Sequence, residues 1–222
     1  MILISYPLDT VSPIYPGTPA TKISPDRSIE RGDSANTSVI SISSHTGTHI
    51  DVPRHFCRDG LSVRDIFQRV NSYSPAYCID LPVTGDCCIC PDELDKLLAG
   101  KEDAGALLIR TGMWLLRNSD PQTYATVHPW VRADVAAFLR RKCPHIRILG
   151  IDTISISTPS RRKEGRDSHR AFLCDENPIL LLEDADLSPA FPKEGFALNV
   201  IPWLIEDLDG VPVTAFLITS PR

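Results

Sequence analysis

Apolar residues along this chain gather into short, dense runs rather than long helical stripes. Ala76–Val83, Ala106–Gly112, Ile146–Thr153, Ile179–Glu183, Phe196–Trp203 and Val211–Thr219 are each mostly apolar. Runs of that length with few polar interruptions read as strands, several of them buried on both faces. Asn36 to Asp51 follows a different pattern, in which Ile40 and Ile42 alternate with Ser41, Ser43 and His45. Alternation of this kind predicts a strand with one buried face.

Three segments switch to helical spacing. Pro91 to Ala99 opens with Pro91, Asp92 and Glu93, sets Leu94, Leu97 and Leu98 on one face, and stops at Gly100. Val131 to Lys142 repeats at Val131, Val135, Phe138 and Leu139, then closes on Arg140, Arg141 and Lys142 before Pro144. Ser62 to Val70 is a shorter third. Strands outnumber helices and the two interleave, which predicts an α/β domain built on a mixed sheet. The 19 prolines are dispersed, and no linker, repeat or low-complexity tract breaks the chain, so residues 1–222 read as one domain.

Composition narrows the classes of function. With 42% hydrophobic and 23% charged residues the chain is neither a disordered tail nor a membrane protein. No run approaches the ~18 consecutive apolar residues of a membrane span. The start, MILISYPLDT, lacks a basic region and is broken by Pro7, so no signal peptide is expected and a cytoplasmic location follows. A net charge of −5 argues against a nucleic-acid footprint. Seven cysteines, an odd number without a secretory signal, read as free thiols in a reducing compartment. Cys87, Cys88 and Cys90 contain a Cys-x-x-Cys pair, but no second pair at zinc-finger spacing accompanies it.

Candidate chemistry concentrates in His45-Thr-Gly-Thr-His49-Ile-Asp51-Val-Pro-Arg-His55. Gly47, the two threonines and Pro53 disfavour a helix there. In an extended segment His49 and Asp51 project from the same face, and Gly47 lets the chain bend so that His45 turns toward them. Two imidazoles and a carboxylate make a site suited to zinc, manganese or iron.

The stretch resembles the signature of the cyclase family of metal-dependent hydrolases, whose members include bacterial kynurenine formamidases and isatin hydrolases. Tyr15-Pro16-Gly17 looks like the family's early aromatic-Pro-Gly loop, Arg110-Thr111-Gly112 like its central strand end, and Gly150-Ile151-Asp152-Thr153 like a later strand motif. Gly165-Arg-Asp-Ser-His169-Arg followed by Leu182-Glu183 looks like the second half of its metal site. The likeness spans most of the chain. It implies the swivelling β/β/α fold with a mixed central sheet, and a homodimer or homotetramer whose neighbouring subunits complete the pocket. It also implies one or two divalent ions, zinc or manganese, per subunit. By this resemblance His45, His49 and Asp51 hold one ion, while Asp51, His169 and Glu183 hold a second, the aspartate bridging. Glu183 ends the apolar run ILLLE, where a carboxylate without a cation or donors is costly.

The same resemblance makes His55 the acid/base group, its alternative being a third metal ligand, and sets Tyr15 where the formamidases place an aromatic ring over the substrate. A water acidified by the ion toward a pKa of ~7 would then attack an amide or ester carbonyl, with His55 moving the proton to the leaving nitrogen. The implied substrate is a small molecule, an aryl formamide such as N-formylkynurenine. The interval from His169 to Glu183 is longer than in kynurenine formamidases, with CDENP in the extra turn. A cyclic amide or lactone hydrolase of the isatin type stays open, as does a non-catalytic binding module. Ser160–Arg170, with five basic and two acidic residues, reads as a solvated loop in which Arg161, Arg162 or Arg166 attracts a substrate carboxylate. His128 and His145 read as packing and surface residues, and Trp114 and Trp130 as core.

Overall fold

In the computed structural model, which describes residues 1–68, 71–192 and 195–219, the apolar runs become strands of one sheet. In chain order the elements begin β1 (Ile2–Leu3), β2 (Lys22–Arg27), β3 (Thr37–Ser41), β4 (His49–Asp51), α1 (Val63–Phe67), β5 (Ser72–Asp80), β6 (Cys88–Ile89) and α2 (Pro91–Leu97). They continue with β7 (Ala106–Arg110), α3 (Trp114–Ser119), α4 (Pro121–Thr126), β8 (Trp130–Val131), α5 (Asp134–Lys142) and β9 (Ile148–Ile151). The last are α6 (Arg162–Leu173), β10 (Leu180–Glu183), β11 (Phe196–Pro202) and β12 (Gly210–Ile218). The main sheet runs β1-β12-β11-β5-β7-β9-β10-β4, and β4 also pairs with β12, so the sheet closes on itself. β5, β7, β9 and β10 are parallel neighbours, whereas β4, β11, β12 and β1 join antiparallel. The fold is therefore the α/β mixed-sheet class expected.

Period-two geometry explains why the parallel strands are apolar throughout. Ala106, Leu108, Ile148, Leu180 and Leu182 face one core cluster, with side chains of β11 and β12. Their chain neighbours Leu107, Ile109, Leu149 and Leu181 face another, covered by Leu94 of α2, Val135 and Leu139 of α5 and Phe172 of α6.

Several expectations need correction. β3 is exposed along its whole length, with Ile40 at 52%, because it pairs with β2 alone in a hairpin outside the main sheet. Val131 belongs to a short strand, so the second predicted helix starts at Asp134. The third, predicted over Ser62 to Val70, ends at Phe67, and Val70 lies outside the described residues. Most of Ser160–Arg170 is helical: Gly165, Ser168, His169, Phe172 and Leu173 recur at helical spacing and bury one face of α6. Trp114 and Trp130 are half-buried and join neither main cluster, as the bulk of an indole often dictates.

The cysteines are not all free. Cys57 and Cys174, 117 residues apart, form a disulfide across a Cα–Cα distance of 5.6 Å. The fold carries the turn after His55 to the C-cap of α6, a proximity that no local spacing reveals. Cys78, Cys87, Cys88, Cys90 and Cys143 remain thiols. Among the described residues Cys87, Cys88 and Cys90 enter no group of three metal-ligating side chains, and the Cys90 thiol instead donates to Glu93 at 3.3 Å. No described helix is long and apolar enough to cross a membrane.

Candidate metal centre

The site grows from β4, which is paired along both edges. His49 stands opposite Glu183 of β10, and Asp51 opposite Gly210 of β12. Ile50, between them, is buried in the first core cluster, so His49 and Asp51 share the other face. Gly47 takes a φ of +66°, a left-handed turn that suits glycine. The turn brings His45 back, its Nδ1 2.7 Å from Asp51 Oδ1. His169 arrives from α6, four residues beyond Gly165.

Backbone carbonyls fix two of the imidazoles. His49 donates its Nδ1–H to the Gly47 carbonyl, and His169 its own to the Gly165 carbonyl, each at 2.8 Å. In the neutral form of each ring the lone pair is then on Nε2. His49 Nε2 lies 3.4 Å from oxygens of Asp51 and Glu183, and His169 Nε2 lies 3.7 and 3.5 Å from the same two carboxylates. These separations exceed ordinary hydrogen bonds. They match two ligands of a tetrahedral ion, which stand about 3.4 Å apart when each bond is about 2.1 Å. Among the described residues Asp51 Oδ2 is buried with no hydrogen-bond partner, a cost that a cation would remove. Glu183 Oε1 accepts from the Ser155 hydroxyl at 3.0 Å and the Ile156 N–H at 2.7 Å. The donor set fits a divalent ion. Ligand atoms of His45, His49 and Asp51 lie within 4.8 Å of one another, as do those of Asp51, His169 and Glu183.

His55 ends a short 3-10 turn, Pro53–His55, and its ring stacks on His45 with centroids 4.0 Å apart. Sequence reasoning missed its partner. Asp209 Oδ2 lies 3.1 Å from His55 Nδ1 and 3.0 Å from His45 Nε2. Hydrogen bonds from both rings hold Asp209 well below the usual carboxylate range. Burial works to lower the His45 pKa, but Asp51 and Asp209 outweigh it and bring the ring up to about 10. The one signal was Asp209-Gly210 ahead of an apolar run, a turn pair. Gly210 is needed there: a Cβ would sit 2.5 Å from His45 Cε1. His45, His55 and Asp209 form a third group with ligand atoms within 4.8 Å.

The acid after Glu183 has a structural task. Arg117 donates Nε–H and an Nη2–H to Asp184 at 2.7 and 2.8 Å, and the Tyr124 hydroxyl adds a third bond at 2.5 Å, all buried. Arg110-Thr111-Gly112 and Asp152 tie two strand ends together. Thr111 gives Asp152 Oδ1 its N–H at 2.9 Å and its hydroxyl at 2.6 Å, and Gly112 N–H reaches Oδ2 at 2.9 Å.

A cavity of about 360 Å³ opens onto these groups, lined by all six predicted metal and acid/base residues together with Tyr15, Arg162 and Arg166. Tyr15 packs beside Met113, Tyr124 and Ile154, with a hydrogen bond to Ser157. Arg161 is not on the lining and pairs with Asp86 at 3.2 Å. His128 is buried away from the cavity and His145 is exposed.

Residues 2–158 match the family model described as "Putative cyclase". The kynurenine formamidase of Bacillus mycoides strain KBAB4 is 35% identical over 215 residues, covering 96% of this chain and 95% of that protein. The kynurenine formamidase of Geobacillus thermodenitrificans strain NG80-2 is 33% identical over 216 residues, with 96% and 95% covered. Among solved structures, isatin hydrolase A from Labrenzia aggregata, bound to benzyl benzoate, has a TM-score of 0.81 at 22% identity, covering 96% of this chain and 91% of that one. A structure described as a potential metal-dependent hydrolase with cyclase activity has a TM-score of 0.71 at 22% identity, with 97% and 95% covered. The structural likenesses are of fold. With the family model matched over most of its length and relatives at this level of identity, the chain belongs to the cyclase family.

Proposed function

We propose that this chain is a metal-dependent amidohydrolase that cleaves the carbon–nitrogen bond of a small aryl formamide such as N-formylkynurenine. The observation that carries the reading is the pair of His–carboxylate triads meeting at Asp51, with His55 alongside in one cavity. His45, His49 and Asp51 would hold one ion and Asp51, His169 and Glu183 a second, zinc or manganese suiting such mixed nitrogen and oxygen donors. A bound divalent ion supplies positive charge that polarises a carbonyl oxygen and acidifies water.

The chain's own residues do the rest. With Nδ1–H given to Asp209, His55 keeps Nε2 to take a proton from the attacking water and return it to the leaving nitrogen. Asp209 positions that ring. Tyr15 offers its face to the substrate's aryl group. Exposed Ile23, Val39 and Ile40 of the β2–β3 hairpin, with Trp203, Leu204 and Ile205, support association into a homodimer or homotetramer.

The test is metal analysis of the purified protein beside hydrolysis assays with N-formylkynurenine, isatin and a simple lactone. Formate release that a chelator abolishes and zinc or manganese restores is the expected result. Opening of isatin without formamide cleavage would move the substrate to cyclic amides, and bound metal without turnover on any of the three would leave a binding module.

A further inference from the structure

Arg162, Gly165, Arg166 and His169 lie three, four and seven residues apart on α6, a spacing that returns to one side of a helix, and all four line the cavity. Gly165 allows the close approach, since a Cβ there would stand 2.4 Å from Ser157 Cβ. Neighbouring cations already have partners: Arg161 pairs with Asp86 at 3.2 Å and Lys163 with Asp167 at 2.8 Å. Arg162 and Arg166 are exposed, and neither makes a hydrogen bond or an ion pair among the described residues. Two unpaired guanidinium groups thus edge a cavity whose other charged lining side chains, histidines aside, are the acids Asp51 and Glu183.

We propose that Arg162 and Arg166 bind a carboxylate carried by the substrate, making this an enzyme for carboxylate-bearing amides rather than amides without one. The planar guanidinium fork matches a carboxylate in geometry as well as charge. The acids deeper in the cavity penalise a doubly charged phosphate more than a singly charged carboxylate. The inference rests on the amidohydrolase reading for the bond that is cleaved, and it deepens that reading by naming the group through which the substrate is held.

The test compares wild type with the Arg162→Gln/Arg166→Gln variant on two formamides, N-formylkynurenine and a neutral N-formylated aryl ketone without the amino-acid tail. The expected result is a KM for N-formylkynurenine raised about tenfold or more, the scale of a lost charge-assisted hydrogen bond. The kcat on it, and both constants for the neutral compound, stay unchanged. Equal effects on the two substrates, or none, would overturn the proposal. Calorimetry with 4-oxo-4-phenylbutanoate, an aryl ketone with an aliphatic carboxylate and no scissile amide, gives a second readout. Its affinity should fall about tenfold in the variant, and equal affinity overturns the proposal. If wild type cleaves neither formamide, the amidohydrolase reading fails, and the calorimetry still decides the role of the arginines.

Discussion

His55 differs from the other clustered imidazoles in what it touches. His49 and His169 give Nδ1–H to backbone carbonyls and face two carboxylates, whereas His55 is a quarter exposed and leans on Asp209. His55→Ala should therefore keep its metal, measured by elemental analysis, while turnover drops by about 10²–10⁴-fold, the usual contribution of a positioned acid/base group. Loss of metal in that variant would make His55 a ligand. Such residues were legible because three histidines and an aspartate crowd into one short stretch with Gly47 to bend it. Asp209 was not legible: a single acid in IEDLDG carries no mark of the imidazoles that the fold brings to it.

Elements place these residues, and their ends do most of the work. Glu183 closes β10, and the residue after it is locked by Arg117 and Tyr124. With both charges buried, Arg117→Met leaves Asp184 without its cation and should cost about 3–5 kcal/mol in urea unfolding. A change below ~1 kcal/mol would show that the pair does not anchor the strand end. The parallel strands were readable because burial on both faces leaves continuous apolar runs. α6 was not, since its buried face includes Gly165, Ser168 and His169, small or polar residues that break the apolar stripe. The β2–β3 hairpin misled for the opposite reason: Ile40 and Ile42 alternate as a half-buried strand would, yet among the described residues β3 pairs only with β2 and stays exposed.

At the scale of the whole molecule, closure of the sheet between β12 and β4 and the Cys57–Cys174 link join segments far apart in sequence. No periodicity encodes such contacts, so the class of sheet could be read and its closure could not. The disulfide spans 117 residues and ties the His55 turn to the helix carrying His169. Its reduction should lower stability by about 2–4 kcal/mol, seen as a lower thermal midpoint in reducing buffer. An unchanged midpoint, with the free thiols counted to confirm reduction, would contradict that role. β4, β10 and α6 converge on Asp51, where the proposed function needs divalent ions. Anomalous scattering from crystals grown with zinc tests this most directly. A peak bonded to Asp51, flanked by His49, His169 and Glu183, is expected; zinc bound elsewhere, with that cluster hydrogen-bonded and metal-free, would overturn the assignment.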